Sequence, residues 1–321
     1  MSNNTQKVEL SIVVPAYNEE SNLDYLFERL ESVLTSLNTT YEIVCVNDGS
    51  KDKTIEYLVK HHHRNQAIKV IDLSRNFGKE IALSAGIDYA TGSAVIPIDA
   101  DLQDPPELIK DLVAKWQEGY DVVYATRRTR LGESWLKRFT AYGFYQTIGK
   151  MSRVEIPQNT GDFRLLDRRV VEAVKQMPER NRFMKGLFAW VGFKQTSIIY
   201  DREPRYKGKT TWNYWKLWNF AIDGITAFSF VPLKIWSYIG IFISLLSLLF
   251  AVFLFVQTVM FGIKVPGYAS TIISILFLGG IQLISLGVIG EYLGRVYEEV
   301  KGRPLYFVRN VYGFDSESNI D

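Results

Sequence analysis

Tyr41-Glu42-Ile43-Val44-Cys45-Val46-Asn47-Asp48-Gly49-Ser50 decides the reading of this chain: a β-branched apolar run that halts on Asn-Asp-Gly-Ser. The design returns at Ala94-Val95-Ile96-Pro97-Ile98-Asp99-Ala100-Asp101-Leu102-Gln103-Asp104. Ligands of open α/β sheets bind beyond the carboxyl ends of the strands, so acids placed there face a ligand crevice. Asp99 and Asp101, at i and i+2 of an extended segment, can converge on one hard cation. Mg2+ or Mn2+ held by so few carboxylates is shared with a diphosphate. The chain reads as a nucleotide binder.

Outward from these two runs, strands and helices alternate. Leu10–Val14 reads as a strand, followed by a helix with apolar residues at Leu23, Leu26, Phe27, Leu30, Val33, Leu34 and Leu37, capped by Asn18 or Ser21. Tyr41–Val46 is a strand and Lys53–His62 a helix; Ala67–Leu73 and Gly78–Ala90 repeat the pair. Ala94–Ile98, Pro106–Glu118 and Asp121–Ala125 follow as strand, helix and strand. This alternation implies a mostly parallel sheet with right-handed crossovers. The three histidines, His61-His62-His63, end a helix with no acidic or cysteine cluster beside them, and read as a solvated terminus.

The last third is different. Ile235–Ile263 and Val265–Gly290 contain no charged residue, and each exceeds the roughly 20 apolar residues that span a bilayer. Both are apolar all round, unlike an amphipathic core helix. They read as a two-span hairpin turning at Lys264-Val265-Pro266-Gly267. Lys216, Lys234, Arg295, Lys301, Arg303 and Arg309 flank the hairpin, against Lys264 alone in its loop, which sets both termini on the cytoplasmic side. No signal peptide is read at the N-terminus. The segment before the first span carries Trp212, Trp215, Trp218, Phe220, Phe228 and Phe230, the composition of a helix lying at headgroup level. Gly279, Gly280, Gly287 and Gly290 permit close helix contact, as in a homo-oligomer. A net charge of +2 conceals acids gathered early and bases late. The single cysteine, Cys45, sits in a strand-like run and allows no intrachain disulfide. The polar tail from Asn310 to Asp321 is expected to fray.

Neither a GxGxxG after the first strand nor a GxxxxGK[ST] occurs, which argues against a dinucleotide or P-loop site. The acidic runs remain, joined by Asn159-Thr160-Gly161-Asp162-Phe163-Arg164 and many bases between Arg127 and Lys209. Ile12-Val13-Val14-Pro15-Ala16-Tyr17-Asn18-Glu19-Glu20, Val46–Ser50, Leu73-Ser74-Arg75-Asn76-Phe77-Gly78-Lys79 and Asp99-Ala100-Asp101-Leu102-Gln103-Asp104-Pro105-Pro106 resemble, in order, the motifs of family 2 glycosyltransferases with the GT-A fold. With the two-span tail, the chain is similar to the polyprenyl-phosphate glycosyltransferases, including dolichol-phosphate mannose synthase and bactoprenol glucosyltransferases.

That resemblance implies roles. Pro15, Tyr17 and Glu19 would line the nucleotide pocket, Asp48 would accept a hydrogen bond from the base, and Lys79 would assist at the diphosphate. Asp99, Asp101 and Gln103 match the motif that holds metal and ribose, with Asp101 the direct ligand. Asp162 stands where inverting relatives keep a catalytic acid group. A polyprenyl phosphate, with a second pKa near about 6, is already largely dianionic and has little need of a general base. It needs cations, and Arg127, Arg128, Arg138, Arg202, Arg205, Lys207 and Lys209 are the candidates. The basic stretch from Arg202 departs from its relatives in reading Lys-Thr-Thr-Trp where they often have Ser-Lys.

The expected architecture is therefore a Rossmann-like GT-A domain (1–211), a juxtamembrane segment (212–231), a two-helix hairpin (232–294) and a cytoplasmic tail (295–321). The expected activity is inverting, metal-dependent transfer of a hexose, glucose from UDP-glucose first, to undecaprenyl phosphate at the cytoplasmic membrane for a cell-envelope glycan. Mannose, an aminosugar or aminoarabinose are alternative sugars. A processive synthase is disfavoured by the missing Gln-x-x-Arg-Trp and too few spans. A non-catalytic scaffold is disfavoured by the retained Asp48, Asp99, Asp101 and Asp162, and a flippase by the single hairpin.

Overall fold

The computed structural model describes residues 8–128, 160–177, 179–180, 182, 184–201, 231–261 and 267–314. Arg138, Arg202, Arg205, Lys207, Lys209, the hairpin turn at 264–266 and the aromatic segment 212–230 lie outside them.

The β-branched runs form strands β1 (Leu10–Ala16), β2 (Tyr41–Asn47), β3 (Ile68–Leu73) and β4 (Ala94–Pro97). Between them lie α1 (Leu23–Ser36), α2 (Thr54–Arg64) and α3 (Lys79–Tyr89). A short 3-10 turn at Pro106–Leu108 leads into α4 (Ile109–Gln117), then β5 (Val122–Arg127), β6 (Thr160–Asp167), α5 (Arg168–Lys175), α6 (Met184–Trp190) and β7 (Gln195–Tyr200). The described strands make one eight-stranded sheet, ordered β7-β5-β6-β4-β1-β2-β3-β8, where β8 is Val308–Tyr312. Neighbours β1–β2, β1–β4, β2–β3 and β5–β7 are parallel. β6 runs antiparallel to both β4 and β5, and so separates β5 from the parallel block it follows in sequence.

Both faces of the sheet are covered. Ile12, Val14, Ile43 and Cys45 face one core with α1, α2 and α4; Val13, Val44 and Val46 face the other with α3, α5 and α6. Alternate residues of one strand thus serve opposite cores, which is why these runs are continuously apolar. Gly86 lets α3 lie close against the sheet: a Cβ there would overlap Val13 Cγ1 and reach 3.1 Å from Val46 Cγ2.

Three expectations require correction. Neither Asn18 nor Ser21 caps α1: Asn22 holds that position without a side-chain capping bond, its amide instead donating to Glu19 (2.6 Å). Asn18, at φ 57°, ties the turn after β1 to the turn after β2. His61 and His62 are buried rather than solvated; His61 Nε2 pairs with Asp24 (2.7 Å) and His62 Nδ1 donates to the Ile68 carbonyl (2.6 Å). The tail does not fray at Asn310. Val308–Tyr312 add to the outer edge of β3 as an antiparallel strand, because β3 would otherwise leave a row of unpaired backbone groups.

Two long helices precede that strand, α7 (Val231–Phe261) and α8 (Tyr268–Val300). Among the described residues one stretch, Phe277–Val300, is long and apolar enough to cross a membrane, and none of it is buried. The C-terminal end of α8 touches the sheet domain where Glu299 accepts from the Arg180 backbone N–H (2.8 Å).

Candidate active site

The parallel block changes direction of growth at β1, with β2 on one side and β4 on the other. Crevices open at such switch points beyond the strand ends. The turns after β1, β2, β3 and β4 all emerge here, and antiparallel β6 begins at the same edge. The predicted residues Pro15, Tyr17, Glu19, Asp48, Lys79, Asp99, Asp101, Gln103 and Asp162 all sit on these segments.

The turns after β1 and β2 hold each other. The Asn18 N–H donates to Ser50 Oγ (3.0 Å), the Lys51 N–H to Asn18 Oδ1 (2.8 Å) and the Glu19 N–H to Thr54 Oγ1 (2.8 Å). Tyr17 is exposed beside them, while Pro15 and Glu19 are half-buried. Asp48 is buried, and its two oxygens accept the backbone N–H groups of Phe77 (2.7 Å) and Gly78 (3.0 Å). Burial pushes its pKa up, partly offset by those bonds. Within this structure Asp48 braces the loop from Ser74 to Gly78. Gly49, at φ 63°, passes so close that a Cβ would lie 2.5 Å from Asn76 N.

Lys79 opens α3 and joins two acids far apart in sequence. Its Nζ is 2.6 Å from Asp99 Oδ1 and 2.6 Å from Asp162 Oδ2. Desolvation opposes the charge, but the two carboxylates hold the pKa of this partly exposed ammonium well up. Asp162 is buried; desolvation works against ionisation, but Lys79, Lys185 and Arg164 together depress its pKa. That direction favours the charged form and weakens Asp162 as a base. Asp162 Oδ1 is buried with no hydrogen-bond partner among the described residues.

Asp101 is buried and accepts the Gln103 N–H (3.1 Å); Leu102 between them takes φ 59°. The donor set of Asp99, Asp101 and Gln103 is all oxygen and supplies two carboxylates. No cluster of three or more metal-ligating His, Cys, Asp or Glu side chains occurs among the described residues. An all-oxygen set suits a hard cation completed by diphosphate oxygens, with both Asp99 oxygens held here by Lys79 Nζ (2.6 and 2.7 Å).

Of the predicted phosphate-binding bases, Arg127 reaches this group. Its Nε donates to Tyr200 Oη (3.3 Å), and its Nη2 lies 3.1 Å from where a Gly161 Cβ would be. Arg128 turns away, exposed and paired with Asp201 (3.5 Å).

Sequence reading missed four members. Tyr200 donates to Asp104 and receives Arg127, linking β7 to the Asp99–Asp104 turn. Arg164 is buried beneath Asp162, donating to the Gly161 carbonyl (2.9 Å) and lying 4.7 Å from the Phe188 ring centroid. Glu80 follows Lys79, and burial, with Asp162 nearby, raises its pKa to about 7. Asp72 is buried in β3 and accepts the Asn47 amide (2.7 Å). Arg164 lies inside a motif already singled out; for Tyr200, Glu80 and Asp72 no local pattern signals the role.

Residues 11–175 match the family described as glycosyl transferase family 2, and residues 231–296 match the GtrB C-terminal hairpin. The chain belongs to glycosyltransferase family 2. This family 2 glycosyltransferase is 68% identical over 308 residues to an uncharacterized glycosyltransferase of Synechocystis sp., covering 96% of this chain and 97% of that one. It is 47% identical over 302 residues to the SfII prophage-derived bactoprenol glucosyl transferase of Shigella flexneri, covering 94% of this chain and 98% of that one. Among solved structures, mannosyl-3-phosphoglycerate synthase from Rubrobacter xylanophilus aligns at 18% identity and a TM-score of 0.46, over 67% of this chain and 71% of that one.

Proposed function

We propose that this family 2 glycosyltransferase moves glucose from UDP-glucose to a polyprenyl phosphate such as undecaprenyl phosphate, with inversion, at the cytoplasmic face of a membrane. The likeness to bactoprenol glucosyl transferases over nearly the whole chain, with the hairpin match, carries this reading. The uncharged runs 235–263 and 265–290 support two spans, with the sheet domain on the side of the basic flanks. The domain limits 1–211, 212–231, 232–294 and 295–321 remain those of the proposal, with β8 returning the last of these to the sheet.

In this reading Tyr17 and Glu19 flank the nucleotide while Asp48 orders the loop beside it. Asp99, Asp101 and Gln103 would hold Mg2+ or Mn2+, which supplies charge neutralisation for the departing diphosphate. Lys79 adds a fixed positive charge at the same place, preorganised by two acids. Asp162, ionised and with one oxygen uncommitted, orients a sugar hydroxyl or the Lys79 ammonium and takes no proton. Arg127 faces the acceptor phosphate, which attacks as an anion.

The test is transfer from labelled nucleotide sugars to polyprenyl phosphate by the purified full chain in detergent with Mg2+ or Mn2+. Label from UDP-glucose in an organic-extractable lipid is expected, and its loss in Asp101→Ala with folding retained. Full activity in that variant would sink the metal assignment, and transfer from a different sugar nucleotide would replace the donor.

A further inference from the structure

We propose that Arg309, on the strand after the last long helix, is a positioning residue for the nucleotide end of the site. The inference rests on the donor-site reading of the Asp48 turn given above.

Arg309 forks between two groups. Its Nη2 donates to the Ser74 carbonyl (2.6 Å) and its Nη1 lies 3.4 Å from Asp72 Oδ2. The Ser74 N–H returns a bond to the Phe307 carbonyl (2.9 Å). Ser74 begins the loop whose far end, Phe77 and Gly78, is gripped by Asp48. The second arm runs inward. Asp72 Oδ1 accepts the Asn47 amide (2.7 Å), and Asn47 Oδ1 accepts the Ser50 N–H (3.3 Å), closing the turn that carries Asp48 and Gly49. One guanidinium therefore fixes both the start of the loop and, through Asp72 and Asn47, the turn that holds its end.

The physical case is one of desolvation. Asp72 is 4% exposed, while Arg309 is on the surface. Removing the arginine leaves a buried carboxylate with a single amide donor among the described residues, and relaxation toward water displaces Asn47 with it. The rest of the C-terminal segment has attachments of its own. Tyr306 Oη donates to Asp88 (2.9 Å), and Phe314 packs edge-on against Tyr89 at 5.1 Å between centroids. Loss of Arg309 should thus disturb the donor loop and spare the attachment of β8.

The experiment compares Arg309→Ala, Arg309→Lys and Asp48→Asn in the purified full chain in detergent. UDP affinity, donor and acceptor KM, and amide exchange at Phe77 and Gly78 are read for each. Arg309→Ala is expected to weaken UDP and raise donor KM by about tenfold, with acceptor KM unchanged and faster exchange at both amides. Arg309→Lys, which keeps the charge but cannot fork, should recover part of the loss. Weakened UDP binding in Asp48→Asn but not in Arg309→Ala overturns the relay and leaves the donor-site reading intact. Unchanged binding in both overturns that reading and the relay with it. Should Arg309→Ala fail to fold, an Arg309→Lys protein with unaltered UDP affinity and exchange overturns the proposal by itself.

Discussion

At the residue scale, the decisive contact is Lys79 between Asp99 and Asp162, which no local pattern could bring together across more than eighty positions. Lys79→Ala leaves two acids without their shared cation, and kcat should fall by about 10²-fold or more while the sheet stays folded. Near-normal turnover in a steady-state transfer assay would make Lys79 a mere surface charge. Glu80 gives a pH prediction. Its pKa is raised from 4.5 to about 7 by burial and by Asp162. Between those values the unfolded chain releases a proton that the folded chain retains, so stability falls as pH rises through this window and levels above it. Glu80→Gln should remove that slope in thermal melts from pH 5 to pH 8. Asp162 works in the opposite sense: its contribution is complete above the ordinary carboxylate range and is lost as pH falls through its depressed pKa.

At the scale of elements, the site is a set of turns locked to each other and pinned to the strand ends beneath. Gly49 makes the tightest of these joints, with a left-handed backbone and Asn76 N only 2.5 Å from where a Cβ would stand. Gly49→Ala should cost about 1–3 kcal/mol through backbone strain alone, and more through displacement of the Ser74–Gly78 loop. A lowered melting temperature together with weakened UDP binding is the expected pair; a fall in stability with unchanged UDP affinity would separate the turn from the nucleotide. Element type was legible from apolar period. Tyr41–Asn47 and Leu10–Ala16 are strands because β-branched residues run unbroken between turn residues, and both faces needed covering. Caps and burial were less legible. Asn18 looks like a helix cap but serves a long-range bond between turns, and His62 looks solvated until the C-terminal segment covers it at Tyr312 and Gly313.

At the scale of the molecule, Asp48 and Asp99 stood out because acidic residues at strand ends are conspicuous against apolar runs, while Asp162 took its role from the resemblance to the family alone. Tyr200, Asp72 and Arg309 were not, since their roles arise only from pairings such as β5 with β7 and β3 with β8. The membrane reading has its own test, aided by a lone buried thiol: Cys45 is fully enclosed and burial pushes its pKa up, so it should stay silent to maleimide. In intact vesicles, cysteines introduced by Lys264→Cys and Asn310→Cys should label from opposite sides, and labelling from one side would refute two spans. The closing strand also constrains how the chain can be born. Because β8 follows both long helices in the chain, the edge of β3 stays bare while they leave the ribosome. A nascent chain stalled at that stage presents a sticky sheet border beside the Ser74–Gly78 loop. Completion of the sheet therefore waits on β8, so that a chain truncated before Val308 would be a hazard to its neighbours as well as a poor catalyst.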